Sequence, residues 1–154
     1  MYTLEQAVGE IKNWADERGL VNPDFKNKQL IKLLEEVGET AGAILKKNES
    51  KTVDGIGDIF VVISILCFQS ESENSFKKLY RHNAVPHSTE NDLFKILYLC
   101  DKGRFADALV LLSDISVSIG YDLSYCVNVA YHDIKDRKGK LVGGSFIKEN
   151  QNEL

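Results

Sequence analysis

Apolar residues recur along this chain with mostly helical spacing, and polar punctuation marks where the helices begin and end. Thr3, with Gln6 three residues on, forms a capping-box pattern that opens a helix to about Arg18, with Gly19 as its stop. Asn22-Pro23-Asp24 is a turn. From about Asn27 to Lys47, the spacing of Leu30, Leu34, Val37, Ala41, Ile44 and Leu45 predicts one apolar helical face, ended by Lys46 and Lys47. The third segment, Lys51 to about Phe68, is rich in β-branched residues and suits a buried strand or a buried helix. Its length favours helix, and nothing else in the chain supplies a strand with hydrogen-bonding partners. Residues 75–83 predict a short helix before Pro86, and 92–100 with 105–117 predict an αα-hairpin around the turn at 101–104. Asp122 is placed to cap a last helix that reaches Lys138 and stops at Gly139, followed by a Gly-rich tail that frays over about 149–154. The fold class expected is all-α.

A length of 154 residues with 44% hydrophobic and 27% charged residues fits one globular domain, 1–154, and excludes long disorder or a disulfide-built miniprotein. The net charge of −4 provides no overall positive field for nucleic acid or an anionic membrane, so a polyanionic ligand must be held locally. Cys67, Cys100 and Cys126 are widely spaced among apolar residues, as buried thiols in a reducing compartment would be. The acidic N-terminal stretch lacks the basic start and apolar run of a signal peptide. The apolar run Ile59–Phe68 is far short of the roughly 20 residues that span a bilayer. A cytoplasmic location is the expectation.

Two acidic clusters carry the candidate chemistry. In Glu35-Glu36-Val37-Gly38-Glu39 the three carboxylates share one helical face, opposite the Leu30/Leu34/Val37/Ala41 stripe, where a solvated surface is the competing reading. None of the three has a basic residue four positions on. In Asp54-Gly55-Ile56-Gly57-Asp58 the two aspartates are one turn apart on a helix that is apolar nearly all round. Asp58 at the edge of a core needs a donor, a cation or a raised pKa; the alternative is that Asp54 and Asp58 cap the helix start. Four or five carboxylates converge only around a cation, and oxygen-only ligands select Mg²⁺ or Mn²⁺. His82, His87 and His132 lack ligand spacing and are expected at the surface. The basic run 134–140 is ordinary dipole-complementing charge when taken alone, but beside an acidic metal site it could hold phosphates.

These residues together resemble the MazG-like all-α nucleoside triphosphate pyrophosphohydrolases, particularly the short stand-alone bacterial and phage type. The likeness rests on Trp14 with Arg18-Gly19-Leu20, on 32–39, on 54–58, and on Ala130-Tyr131 with 134–140 and 144–148. The resemblance implies a four-helix core, with residues of about 70–118 inserted as an αα-hairpin that covers the site or builds an oligomer interface. It implies a homodimer or homotetramer that hydrolyses a ribo- or deoxyribonucleoside triphosphate to the monophosphate and pyrophosphate. By position, Glu36, Glu39 and Asp58 match the family's Mg²⁺ ligands, with Asp54 joining them where the usual Glu is replaced by Gly55. Glu35 becomes the candidate for orienting or deprotonating water. Lys28, Lys32, Lys135, Arg137 and Lys138 become candidates for phosphate contacts, and Trp14 and Tyr131 for the base pocket. A non-catalytic nucleotide- or metal-binding oligomerisation protein is the second reading, supported by Gly55. A phosphoribosyl-nucleotide hydrolase is the third. No stable nucleic-acid complex and no membrane partner are expected.

Overall fold

The capping box forms as predicted: the Gln6 amide donates to Thr3 Oγ1 at 3.2 Å and the Thr3 amide donates to Gln6 Oε1 at 3.0 Å, opening α1 (Leu4–Glu17). In the computed structural model, which describes residues 1–86 and 91–149, a 3-10 turn (Pro23–Phe25) leads to α2 (Lys26–Leu45) and α3 (Glu49–Gln69). Next come α4 (Ser75–Tyr80), α5 (Asp92–Asp101), α6 (Phe105–Ser118) and α7 (Leu123–Ile134). A two-stranded antiparallel hairpin, β1 (Gly139–Val142) and β2 (Ser145–Lys148), ends the described chain. The fold is therefore overwhelmingly helical.

The ambiguous third segment is helix, and it is the axis of the molecule: α1, α2, α6 and α7 all pack against α3. Ile56, Ile59, Phe60, Ile63 and Leu66 are fully buried there, each contributing roughly 1.5–3 kcal/mol relative to exposure. Among the described residues α3 is also long and apolar enough to cross a membrane, but 89% of that window is buried inside the fold. Two glycines let neighbours approach it. A Cβ on Gly55 would stand 2.3 Å from Thr40 Oγ1 of α2, and one on Gly57 would stand 2.2 Å from the Cys126 carbonyl oxygen of α7. Gly38 on α2 is different: it is exposed with nothing within 4 Å of an added Cβ. Gly38→Ala should raise the urea midpoint by about 0.5–1 kcal/mol in stability; a lower midpoint would mean that this face is covered.

Several expectations are corrected. Helix α2 buries Gln29, Leu33, Glu36, Val37, Thr40 and Ala43, whereas Leu34 is 55% and Leu45 84% exposed. The buried face is thus rotated away from the expected apolar stripe and takes Glu36 inside. Asp54 and Asp58 do not cap α3, which begins at Glu49 behind the cap residue Asn48, whose Oδ1 accepts from the Lys51 amide at 3.1 Å. Asp122 holds the extended backbone of a cap at the start of α7 but its side chain makes no capping bond. Helix α7 stops at Ile134, not Lys138: Trp14 Nε1 of α1 donates to the last helical carbonyl, Ile134 O, at 3.1 Å, and Arg18, just past α1, donates from Nη2 to Arg137 O at 3.0 Å in the segment that follows. The Gly-rich stretch before the tail forms an antiparallel hairpin, 139–148, that was not expected, turned at Gly143 (φ 55°) and Gly144 (φ 83°) as a two-residue turn of left-handed residues requires. Residues 150–154 lie outside the described residues, as does His87. His82 is not a free surface residue, since its Nε2 bonds Asp114 Oδ1 at 2.7 Å; His132 is exposed. The predicted αα-hairpin forms from α5 and α6, which pack on α2 and α3 respectively, and neither lines the cavity described next.

Candidate active site

Because Thr40 fits against Gly55, α2 and α3 pack closely, and their carboxylates meet. Glu36 of α2 and Asp58 of α3 line the same cavity, about 550 Å³ in volume, together with Glu35, Lys32 and Arg137. Glu36 is 8% exposed, an unusual place for an ionised carboxylate unless a cation accompanies it.

The electrostatics of this end of the cavity show a deficit of positive charge. Burial first, then the charges of Asp54 and Glu36, push the Asp58 carboxyl up to about 8, with Arg137 opposing and Asp133 adding to the rise. Burial also raises Glu36, where Lys32 opposes the shift while Glu39 and Glu35 reinforce it. Asp54 is raised by burial and by Asp133, against Arg137, and its Oδ1 is buried with no hydrogen-bond partner among the described residues. Among the described residues, the one cation in contact with the α2 carboxylates is Lys32, whose Nζ lies 2.9 Å from Glu35 Oε1 and 3.3 Å from Glu36 Oε1. Burial lowers the Lys32 pKa, but the two carboxylates outweigh it and the net shift is upward. Lys32 sits three and four residues before its partners, which is why a search for bases four residues after each Glu finds none.

Glu35, Glu36 and Glu39 each offer an oxygen within 4.8 Å of the others. A pair of like charges about 4 Å apart repels by roughly 4 kcal/mol at an effective dielectric near 20. The clustered donors are oxygen throughout, Asp54 beside Asp58 has an orphaned buried oxygen, and an ammonium already stands against two of the α2 carboxylates. Those three observations fit a hard divalent ion such as Mg²⁺ or Mn²⁺.

The remaining predicted residues divide cleanly. Trp14, Lys28, Lys32 and Arg137 line the cavity. Trp14 packs edge-on to Phe146 with ring centroids 5.8 Å apart, and the Arg18 guanidinium lies 4.5 Å from the Trp14 ring. Tyr131 does not line it: its ring is buried against Tyr2 and its hydroxyl donates to Glu10 Oε2 at 3.2 Å, so it ties α7 to the N-terminal segment and α1. Lys135 and Lys138 are exposed and also lie outside the lining, because the chain has left the helix by then. Glu39 and Asp54 touch the site through their neighbours rather than through the cavity wall. Gln29, which no motif contains, lines the cavity, as do Leu20, Phe146 and Lys148, which belong to the motifs of the resemblance but carry no expected role there. The last two arrive on β2, and the signal for that strand was present: Gly143-Gly144 between two short apolar-polar alternations is a hairpin pattern.

Comparison with known proteins adds one relative. A stretch of 79 residues is 38% identical to an uncharacterized 18.2 kDa protein in the rep-hol intergenic region of Haemophilus phage HP1 (strain HP1c1), covering 51% of this chain and 48% of that protein. The chain therefore spans about half the length of the curated relative it matches. No family model matches the chain, and no solved structure does.

Proposed function

We propose that this protein is a divalent-metal-dependent hydrolase of the MazG-like type that cleaves a ribo- or deoxyribonucleoside triphosphate to the monophosphate and pyrophosphate. The observation that carries the reading is the meeting of Glu36 and Asp58, from two helices, in one cavity that also holds cationic and aromatic side chains. Glu36, Glu39 and Asp58, with Asp54, are the residues to hold the ion. When bound, such an ion neutralises charge on the reacting phosphoryl group and acidifies an attacking water. Lys32 holds Glu35 and Glu36 in place before the ligand arrives and is free to turn to a phosphate once they are otherwise neutralised. Arg137, Lys28 and Lys148 line the same cavity and are suited to the outer phosphates. Glu35, at the rim, is suited to orient a water or accept its proton. Trp14 and Phe146 line the cavity and are suited to pack against a base.

Gly55 lends no support to a non-catalytic binding protein, because its contact with Thr40 accounts for the missing side chain. A homodimer or homotetramer belongs to the same reading; it is supported by the exposed Ile31 and Leu34 of α2 and Phe94 and Tyr98 of α5, and light scattering tests it. A cytoplasmic site of action, in the host cell if the chain is phage-borne, accords with the phage relative. Nucleotide-pool cleaning or dNTP control is the role such an activity serves. The test is a panel of NTPs and dNTPs with Mg²⁺, with pyrophosphate and orthophosphate assayed separately. The expected products are a monophosphate and pyrophosphate from at least one substrate, lost on chelation. Orthophosphate alone, or no turnover of any member, would contradict the reading.

A further inference from the structure

Seven residues before Glu36, on the same buried face of α2, lies Gln29. It is 6% exposed, yet it lines the cavity. Its amide bonds to no described residue, and its polar atoms are not sealed off as the Asp54 oxygen is. Water in the cavity can reach such an amide, and a ligand that displaces the water has to replace its hydrogen bonds or bind less tightly. Gln29 is thus an uncommitted donor and acceptor, side by side, aimed into a site already argued to take a nucleotide.

The surroundings say what that something is. Around Gln29 the wall is apolar: Leu20, Val61, Val62 and Ile65 line the same cavity. The Trp14 N–H is spent on the Ile134 carbonyl, so Trp14 presents hydrocarbon surface and not a polar group. Seven residues of helix separate Gln29 from Glu36 by about 10 Å along the axis, a span that a nucleoside bridges when its phosphate lies at the carboxylates. A flat heterocycle with a donor and an acceptor adjacent on one edge satisfies both the apolar walls and the amide. Sugar hydroxyls or a phosphate would meet the amide but not the walls.

We propose that Gln29 is the base-selecting residue of this site, its side-chain amide pairing with the donor–acceptor edge of a nucleobase packed between Leu20, Val62 and Trp14. The proposal rests on the nucleotide reading above and adds which residue discriminates among bases. A site built to hydrogen-bond its ligand rejects one that leaves the bond unmade. The preferred base is therefore held at least about tenfold more tightly than the others.

Trp14 is the only tryptophan and lines the cavity, so its fluorescence reports occupancy. The experiment titrates the full chain, with Mg²⁺ present, with each nucleoside monophosphate and with deoxyribose 5-phosphate, which has no base; no binding of any monophosphate also overturns the inference. The expected result is at least about tenfold preference for one base over the others and over the base-free probe, a preference that Gln29→Leu and Gln29→Met both erase. In the unsubstituted protein, the Gln29 side-chain amide resonance shifts with the preferred monophosphate and stays still with deoxyribose 5-phosphate. Equal binding of all bases, a preference that survives either substitution, or an unmoved amide resonance overturns the inference. If monophosphates discriminate through Gln29 but no triphosphate is hydrolysed, the hydrolase reading fails while this assignment stands; if hydrolysis occurs without base preference, the reverse holds.

Discussion

Asp58→Asn is expected to raise the melting temperature of the metal-free protein at pH 7.5 while reducing turnover at least a hundredfold. Both effects come from one cause. The folded protein holds the Asp58 proton up to about 8, against an ordinary value of 3.8. Below about pH 4 both the folded and unfolded states are protonated and the group contributes nothing. Between those limits the unfolded chain gives up the proton and the fold does not, so stability falls as pH rises, by as much as about 1.4 kcal/mol per pH unit. Above about 8 the loss levels off. Asparagine cannot titrate, so the variant loses this slope, and its advantage grows through the window to its full size above about pH 8. It also carries no charge to balance an ion, so turnover falls by about 10²-fold or more. Adding Mg²⁺ should reverse the order, stabilising the parent and leaving the variant unchanged. Parallel pH–stability curves for the two proteins would show that Asp58 is not held protonated by the fold.

Gly57→Ala should be the most damaging single-methyl change in the helical core. In an exposed helix the substitution gains about 1 kcal/mol from propensity. Here the new Cβ would lie 2.2 Å from the Cys126 carbonyl oxygen and 2.6 Å from Ala130 Cβ, both on α7. Neither is the end of a flexible side chain, so α3 and α7 must separate. Overpacking of this kind costs about 3 kcal/mol or more, which outweighs the gain. The neighbouring Asp58 moves with α3, so activity falls along with stability. An unchanged or higher urea midpoint would show that the two helices can part without cost, contrary to their contact in this fold.

Much of this architecture can be read from residue patterns, and the misses have physical causes. The length of the third segment outweighed its β-branched content because α3 is surrounded by helices and satisfies its own backbone. The face of α2 was misjudged because the helix has two candidate stripes. One is apolar and contains Leu30 and Leu34; the other contains Gln29, Glu36 and Thr40. The second is buried, where it alternates these polar residues with Leu33, Val37 and Ala43, and Thr40 Oγ1 is satisfied by the Glu36 carbonyl at 2.8 Å. Local hydrophobicity points the wrong way where a helix must present carboxylates to a cavity, and such reversals concentrate at functional sites. That Leu34 faces outward while Glu36 faces inward is therefore evidence for the site. Charge compensation was visible in Lys32 but on the N-terminal side of the glutamates. The basic run after Ile134 misled because helical spacing was continued through residues 135–138, where the chain turns toward the hairpin and only Arg137 reaches the cavity.

The account turns on Glu36 and Asp58 sharing one divalent ion, and Mn²⁺ titration monitored by the spin resonance of the free ion tests this most directly. At pH 8 the parent protein is predicted to bind Mn²⁺, more weakly as pH falls and Asp58 keeps its proton, with Glu36→Gln and Asp58→Asn each weakening binding at least about tenfold. Mn²⁺ binding that is unchanged by either substitution, or lost in only one of them, would contradict a shared site.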